Sequence, residues 1–238
     1  MSEKCVPIFL IAGGPGTRMQ KGSDPLLQAV FRRTGVPRPT IAYVGAASGD
    51  DAEFRLYNAA RFEKAGAGKV TLAPLCGRDG DGGKAKAVIE ASDLVFLSGG
   101  DVWEGMRVLQ KKGMTEVLRR LHRTGKPFFG ISAGSIILAL QWIRWRDPDD
   151  DGSSEVFDCL GFAPVLCDTH GEAEGWEELK TLLSLSPIGA IGHGIPSGAA
   201  IAVEPDGTVS ALGEEVHRFQ KQAGGVVQVV SLFPVETP

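Results

Sequence analysis

Short apolar runs alternate with stretches of helical periodicity along most of this sequence, and this alternation limits the possible folds more than any other feature. Each apolar run has the length of a buried strand, and the runs lie at residues 7–12, 40–46, 70–73, 93–97 and 127–131. Helices are predicted at residues 51–65, 84–91, 102–109, 114–123 and 135–142. Such alternation predicts an α/β fold, namely a three-layer, doubly wound, mostly parallel sheet with helices on both faces. Because no linker interrupts the pattern, we expect one domain over residues 1–238.

The last third of the sequence follows a different pattern. Residues 199–203 and 208–212 are two short β-type runs, and Glu204-Pro205-Asp206-Gly207 separates them. An Asp-Gly pair between two such runs predicts a tight turn, so we expect a C-terminal β-hairpin. A last β-rich run follows at residues 226–232.

The charge and the composition argue against several classes of function. A net charge of −4 and a pI near 5.6 disfavour nucleic acid or an anionic membrane as the main partner. No apolar stretch reaches the roughly 18 residues of a membrane span, and no secretory signal peptide is recognisable. The four cysteines lack CxxC spacing, which is typical of reduced thiols in the cytoplasm. The glycine-rich segment 13–18 lacks the Gly-Lys-Ser/Thr ending of a phosphate loop. We therefore expect a cytoplasmic protein without a metal or a cofactor.

A nucleophile turn is predicted where the run at 127–131 ends. Gly130, Ser132 and Gly134 fit the pattern G-x-S-x-G between a strand and a helix. The serine of this pattern sits on a sharp turn, so its neighbours must be small and its hydroxyl points into the cleft. The N–H of Ala133 and the start of the following helix face the same point, where they would stabilise an oxyanion. The pattern indicates a serine hydrolase, against the alternative of a tight glycine turn without chemistry.

Two segments carry a resemblance to a known family. Residues 91–101 form a predicted strand that ends in Gly-Gly-Asp, and residues 130–135 read Gly-Ile-Ser-Ala-Gly-Ser. In this order the segments resemble the dipeptidase E and cyanophycinase family of serine peptidases, and a looser similarity extends over most of the chain. The resemblance implies a class I glutamine amidotransferase-like fold. It also implies an oxyanion hole made by the N–H groups of Gly100 and Ala133, with Gly99 as an alternate.

The resemblance further implies a histidine base in an Asp-x-His motif after a short strand. The Asp-Thr-His segment that ends at His170 matches this motif, so His170 is predicted as the general base. His193, in a glycine-rich segment that we expect to be flexible, is the second candidate. A lipase-like order of catalytic residues would select His217 instead. His122 lies on a charged helix face and is expected to be solvated.

The sequence departs from the family at the residue that orients the histidine. The family has a Glu or Asp at that position, and this chain has Ser197. A serine oxygen accepts the imidazole N–H but does not stabilise the imidazolium by charge. We therefore predict a Ser132–His170–Ser197 arrangement, or one in which Asp168 or Glu172 supplies the missing charge. In the alternative interpretation, Ser197 only caps a turn.

A second departure concerns substrate selection. Relatives that cleave after aspartate have arginines downstream of the histidine, whereas residues 171–180 of this chain contain glutamates and no arginine. Either the specificity has moved away from Asp-X peptides, or an arginine from elsewhere supplies the positive charge. The candidates for such an arginine are Arg18, Arg55 and Arg107. The glutamates could instead lie on the solvent face of a helix whose Trp176 and Leu179 face the core. The residues that we predict to contact substrate are Gly14, Asp101, Asp168, Glu172 and Glu174.

The sequence therefore predicts a serine peptidase that hydrolyses dipeptides or short peptides through an acyl-enzyme at Ser132, with His170 as base. Its partner would be a short peptide substrate, and a homodimer is a possible assembly. The alternative is a catalytically weak or inactive domain of the same fold that binds a small molecule or a protein partner. This alternative stays open because the expected acid is absent.

Overall fold

Parallel strands at the centre of the protein determine where its helices and loops lie. The computed structural model describes residues 6–13, 24–147 and 149–234, and the elements below belong to those residues. The strands are β1 (Ile8–Ile11), β2 (Ile41–Val44), β3 (Val70–Leu72), β4 (Leu94–Leu97), β5 (Phe128–Ile131), β6 (Gln141–Trp145), β7 (Ser154–Asp158), β8 (Leu166–Thr169), β9 (Ile191–Ile195), β10 (Ala200–Val203), β11 (Val209–Leu212), β12 (Val216–Gln222) and β13 (Gly225–Leu232). The helices are α1 (Pro25–Arg33), α2 (Ala52–Lys64), α3 (Gly82–Ala91), α4 (Val102–Lys111), α5 (Met114–Arg123), α6 (Ala133–Leu138) and α7 (Glu177–Ser184).

The main sheet is mostly parallel. Within the described residues it has seven strands, in the order β11-β10-β1-β5-β4-β2-β3. The five strands from β1 to β3 in this order run parallel, and the β10–β11 hairpin extends the sheet antiparallel to β1. The predicted α/β architecture and the C-terminal hairpin are therefore confirmed.

Both faces of the main sheet are buried, as parallel strands require. All residues of β1, β2, β4 and β5 are buried, and their side chains alternate between two hydrophobic clusters. One face packs against α1 and α2, where Phe62 lies between Phe96 and Phe129 with ring centroids 4.8 Å and 5.5 Å away. The other face packs against α3, α4, α5 and α6. The loops at the carboxyl ends of the strands are left to form a cleft.

A second sheet lies beside the α6 face of the main sheet. Its strands follow the order β13-β12-β9-β8; β8 and β9 are parallel, and the other pairs are antiparallel. Leu166 and Cys167 of β8 belong to the same hydrophobic cluster as Ile137 of α6, and α6 contacts β8 directly. This sheet was not predicted as a unit, and it brings the segment before His170 next to the nucleophile turn.

The helix predicted at residues 135–142 is wrong in its second half. Helix α6 ends at Leu138, and the chain then forms β6, which pairs antiparallel with β7. The N–H of Leu140 donates to the carbonyl of Val165 at 3.0 Å, outside any helix. A short apolar run fits a buried helix and a buried strand equally well. Here the pairing of β6 with β7 makes the run a strand.

The glycine-rich segment around His193 is a buried strand and not the flexible segment that we expected. Gly192 and Gly194 of β9 face α7 and the residue before it. A Cβ at Gly192 would lie 2.8 Å from the Leu179 side chain, and one at Gly194 would lie 2.7 Å from the Trp176 ring. Glycine therefore lets the helix and the indole lie directly on the strand.

Candidate active site

Ser132 occupies a strained turn at the carboxyl end of β5. Its φ is 55° and its ψ is −126°, which is unfavourable for a residue with a side chain, and α6 begins at the next residue. The N–H of Ser132 donates to the carbonyl of Ile11 at 2.9 Å, which ties the turn to β1. The flanking glycines are required sterically. A Cβ at Gly130 would lie 2.3 Å from the backbone of Gly134, and one at Gly134 would lie 2.0 Å from the carbonyl oxygen of Leu97.

His170 lies within hydrogen-bond distance of this serine. It follows β8 directly, with a positive φ of 47°, and its N–H donates to the carbonyl of Ile195 at 2.9 Å. Its Nε2 is 2.7 Å from the Oγ of Ser132, and the imidazole is exposed at the cleft. A neutral imidazole with its proton on Nδ1 would accept the serine hydroxyl proton in this geometry.

The Gly-Gly segment after β4 lies against the nucleophile turn. A Cβ at Gly99 would be 3.3 Å from the Cβ of Ser132, so the two backbones approach closely. Gly100 has a φ of 136°, and a Cβ there would lie 2.0 Å from the carbonyl oxygen of Ala47. Within the described residues, no acceptor receives a hydrogen bond from the N–H of Gly100 or of Ala133. Both N–H groups are therefore unoccupied as far as the described residues are concerned.

Carboxylates lie near His170, and one of them binds Ser197. The Oε1 of Glu172 accepts the N–H of Ser197 at 3.1 Å. Partial burial alone would raise the pKa of Glu172, but hydrogen bonds from Ser197 and the charge of His170 lower it below its usual value. Partial burial and the charge of Glu174 raise the pKa of Glu178, and His170 opposes this rise. Glu172 and Glu178 are thus both in electrostatic range of the imidazole.

Within the described part of the chain, the ring nitrogen of His170 that faces away from Ser132 has no hydrogen-bond partner. Among the residues that the structure describes, none forms a hydrogen bond with the Nδ1 of His170. The arrangement therefore has the serine and the imidazole in direct contact, with the nearby negative charge acting over a longer distance.

Asp168 is buried two residues before the imidazole. It is 5% exposed, and its Oδ1 accepts the N–H of Thr169 at 2.7 Å. Burial raises the pKa of Asp168 to about 7, the Thr169 hydrogen bond opposes this rise, and the neighbouring glutamates add to it. A carboxyl group with so little exposed surface offers little contact to a substrate.

The other residues predicted to contact substrate are at several different places. Asp101 caps α4, because its Oδ1 accepts the N–H of Glu104 at 2.7 Å. Glu174 is exposed in the loop between β8 and α7. Arg107 is exposed and forms an ion pair with Glu104 at 3.0 Å. Gly14 and Arg18 lie outside the described residues.

The remaining histidines lie away from the serine. The expectation that His122 is solvated is wrong, because its ring stacks on Phe162 with centroids 4.4 Å apart. His193 is 6% exposed, and its Nδ1 faces the carbonyl of Leu166 at 3.4 Å. His217 is on β12, where its Nδ1 is 3.5 Å from a side-chain nitrogen of Gln228.

Phe54 is a residue of this cleft that sequence reasoning missed. A Cβ at Gly99 would be 3.6 Å from the Cζ of Phe54 and 3.3 Å from the Cβ of Ser132, so Phe54 and Ser132 both lie against this glycine. The ring is 37% exposed, on the first turn of α2, where Asp51 caps the helix at 2.7 Å. The order of the elements could have identified Phe54. Helix α2 follows β2, and helices that follow parallel strands begin at the edge of the sheet where active sites form.

The fold and the site together define a class of protein. A parallel sheet that presents a serine on a strained turn, with an imidazole in hydrogen-bond range, is the arrangement of a serine hydrolase with a G-x-S-x-G turn. The sequence model of Peptidase family S51 matches residues 8–210, and the chain belongs to this family. The protein is therefore a serine-type peptidase, and the resemblance to dipeptidase E and cyanophycinase is confirmed.

Individual relatives agree with this assignment. A cyanophycinase of Nostoc sp. is 26% identical over 212 residues, which cover 86% of this chain and 70% of the relative. Peptidase E of Streptomyces coelicolor is 25% identical over 152 residues, which cover 59% of this chain and 61% of the relative. The solved structure of a peptidase from an acI-B1 Actinobacterium has the same fold, with a TM-score of 0.69 over 94% of this chain and 97% of that chain at 17% identity.

Two further properties of the described residues concern membrane spans and metal ligands. In this part of the chain, every helix is too short or too polar to cross a bilayer. In the same residues, no group of three or more His, Cys, Asp or Glu side chains is arranged to hold a metal ion.

Proposed function

We propose that Ser132 and His170 carry out the peptidase reaction, on the strength of the 2.7 Å contact between Oγ and Nε2. Oγ attacks the carbonyl carbon of the scissile bond, its proton moves to Nε2, and the carbonyl oxygen becomes an oxyanion. His170 then gives the proton to the amine nitrogen as the C–N bond breaks, which leaves an ester at Ser132. A water molecule gives a proton to the same imidazole and attacks this ester. Collapse of the second intermediate releases the carboxylic acid and restores the serine hydroxyl.

The N–H groups of Gly100 and Ala133 would hold the oxyanion in both steps. Their lack of an acceptor within the described part of the chain supports this role. A glycine at position 100 lets a substrate carbonyl approach the backbone closely. A donor of this kind typically lowers the barrier by about 2.7–4 kcal/mol.

An active-site sulfonyl fluoride is expected to form one adduct, at Ser132. The hydroxyl is accessible and in contact with a base, so it should react faster than ordinary serines. Intact-mass measurement and peptide mapping would locate the adduct. His170→Ala is expected to slow labelling by roughly 10²- to 10⁴-fold, because the base is lost. If the wild-type protein stays unmodified, the non-catalytic binding domain becomes the better interpretation.

Glu172 and Ser197 together are proposed to supply the function of the missing acid. Glu172 accepts the N–H of Ser197 at 3.1 Å, and although partial burial would raise the pKa of Glu172, the hydrogen bonds from Ser197 and the nearby charge of His170 lower it. A negative charge at this range stabilises the imidazolium that forms during proton transfer. In this arrangement Ser197 is a positioning residue, and the charge comes from Glu172.

Glu172→Gln is therefore expected to lower kcat more than Ser197→Ala does. A charge in electrostatic range of a solvent-exposed imidazole contributes about 1 kcal/mol, so the loss should be roughly fivefold to tenfold. Glu174→Gln, in the same exposed loop, is the matched control. Equal losses in the Glu172 and Glu174 variants would show that Glu172 has no special role.

The substrate is proposed to be a short peptide with a neutral or apolar residue at the cleaved bond, and not a strict Asp-X peptide. The negative charges of Glu172 and Glu178 lie in electrostatic range of the base and would repel an acidic side chain. The Phe54 ring beside Gly99 offers an apolar surface next to the nucleophile. The relatives named Peptidase E and cyanophycinase support a peptide-type amide as the bond cleaved.

A panel of dipeptides X-Leu, with Asp, Asn, Leu and Phe as X, tests this preference. We expect higher kcat/KM for Leu and Phe than for Asp. Phe54→Ala should lower kcat/KM for the apolar substrates by roughly tenfold, because a hydrophobic contact contributes about 1–3 kcal/mol to discrimination. Leu56→Ala, at an exposed position of the same helix, is the control. The proposed shift in specificity is wrong if Asp-Leu is the best substrate.

A further inference from the structure

A second cleft lies on the four-stranded sheet, away from the serine. It has a volume of about 540 Å³, which is in the range of small-molecule sites. Its apolar wall includes Leu140, Val165, Ile191, Val209 and Leu232. Its polar side chains are those of His193 and Arg218, and no carboxylate lines it among the described residues.

Arg218 is a cation without a counterion at this cleft. It is on β12, directly opposite His193 of β9, and both side chains line the cleft. Its Nε is buried and has no hydrogen-bond partner. Across the described residues, no carboxylate forms an ion pair with this guanidinium. Because a buried N–H donor without an acceptor is unfavourable, such a group is expected only where something else compensates it.

His193 makes the second polar surface of the cleft. Its Nδ1 faces the carbonyl of Leu166 at 3.4 Å, which fixes the ring. Burial lowers the pKa of His193 to about 4, the Leu166 contact opposes this change, and the charge of Arg218 adds to it. The ring is therefore neutral at neutral pH, and Arg218 is the positive charge that a ligand meets.

Gly192 and Gly194 explain why these two side chains point to this side. The neighbouring glycines of β9 face α7 and Trp176, so the residue between them must face the opposite side of the sheet. Strand β12 lies beyond residue 210, where the match to Peptidase family S51 ends. The cleft is thus built in part by a segment outside the region that defines the peptidase family.

We propose that this cleft binds a small organic acid, with the carboxylate on Arg218 and an apolar body of several carbons against the aliphatic wall. A guanidinium pairs with a carboxylate through two parallel hydrogen bonds, which would satisfy the buried Nε. The aliphatic residues would bury the remainder of such a ligand. The proposal does not depend on the roles of Ser132 and His170.

Titration of the intact protein with hexanoate tests this site. The imidazole signals of His193 in ¹H–¹³C NMR report binding in this cleft and not at the serine. We expect saturable shifts of these signals by hexanoate, and binding weaker by about tenfold or more for hexanamide, which has the same carbons without the charge. Inorganic phosphate should also bind more weakly, since it has no apolar body.

Variants of Arg218 test whether hexanoate binds at this guanidinium or responds only to the net charge of the protein. Arg218→Gln should weaken hexanoate binding by about tenfold or more. Arg218→Lys should give an intermediate loss of affinity, because lysine keeps the charge but lacks the planar guanidinium that binds a carboxylate through two hydrogen bonds. Arg119→Gln removes the same charge from an exposed ion pair with Glu116 and should leave binding unchanged.

Thermal unfolding gives a second readout for the same variants. Without ligand, Arg218→Met should unfold at a higher temperature than the wild type, because a buried N–H donor without an acceptor is removed. Hexanoate should raise the unfolding temperature of the wild type and not that of Arg218→Met. The proposal is overturned if Arg218→Gln binds hexanoate as the wild type does, or if hexanamide or phosphate binds as tightly as hexanoate.

Discussion

Replacing Ser132 with alanine is expected to lower kcat by roughly 10⁴- to 10⁶-fold while the protein stays folded. The hydroxyl at this position is the group in contact with the Nε2 of His170, and alanine removes the atom that would form the acyl-enzyme. A residual rate above the uncatalysed reaction should persist, because the backbone N–H groups and the binding surface remain. Steady-state hydrolysis of the best dipeptide, with the unfolding temperature as a check of folding, measures the effect.

Ser135→Ala is the matched control for this substitution. Ser135 belongs to the same turn but is fully buried, and its Oγ donates to the carbonyl of Ile11 at 2.8 Å. Its loss should reduce stability by about 1 kcal/mol and leave the chemistry in place. The double variant Ser132→Ala with His170→Ala should be no slower than Ser132→Ala alone, because residues that act as a unit are not additive. Substantial turnover by Ser132→Ala would refute the proposed nucleophile.

Replacing Asp168 with asparagine is expected to stabilise the protein at pH 8 and to have little effect at pH 4. Burial raises the pKa of this carboxyl to about 7 in the folded protein, whereas an aspartate in the unfolded chain titrates near pH 3.9. Between these values the folded state binds more protons than the unfolded state, so wild-type stability falls as the pH rises. Asparagine is neutral in both states and retains an acceptor for Thr169. The expected gain at pH 8 is about 2–4 kcal/mol.

Denaturant unfolding of both proteins at pH 4, 6 and 8 measures this difference. Asp51→Asn is the control, because Asp51 caps α2 at an exposed position and asparagine caps a helix about equally well. Its free energy of unfolding should stay within about 0.5 kcal/mol of the wild type at each pH. A destabilised Asp168→Asn protein at pH 8 would show that the ionised carboxylate has a favourable partner and that its pKa is not raised.

The part of the fold that sequence patterns predicted is the part with strong local signals. Apolar runs bounded by glycine marked the strands of the main sheet, and the Asp-Gly turn marked the β10–β11 hairpin. Strands β9 and β12 of the second sheet lacked such signals. Residues 191–195 contain two glycines that read as a loop, and residues 216–222 have apolar side chains only at Val216 and Phe219, on a partly exposed strand. Their strand character comes from pairing with each other and from contact with α7.

The residues of the candidate site also fall into those that a local sequence motif predicted and those that only the folded chain brings together. A motif read from local spacing placed Ser132, and a short motif after a strand selected His170; the structure brings these two side chains into contact. Phe54 had no local signal, because its position at the cleft depends on how α2 leaves the sheet. The hydrogen bond between Glu172 and Ser197 could not be predicted from the sequence either, because it joins residues that are 25 positions apart in the chain.

The two side chains that we propose to react are anchored in different layers of the molecule. Ser132 follows a strand of the seven-stranded sheet, His170 follows a strand of the four-stranded sheet, and α6 touches both strands. Neither layer alone contains a working centre, so the alignment of oxygen and nitrogen is a property of how the layers are stacked. A relative slip of about 1 Å would already slow the reaction by roughly 100-fold. Interior side chains of α6, such as Ile137 and Leu138, are therefore expected to affect the reaction rate although they are buried.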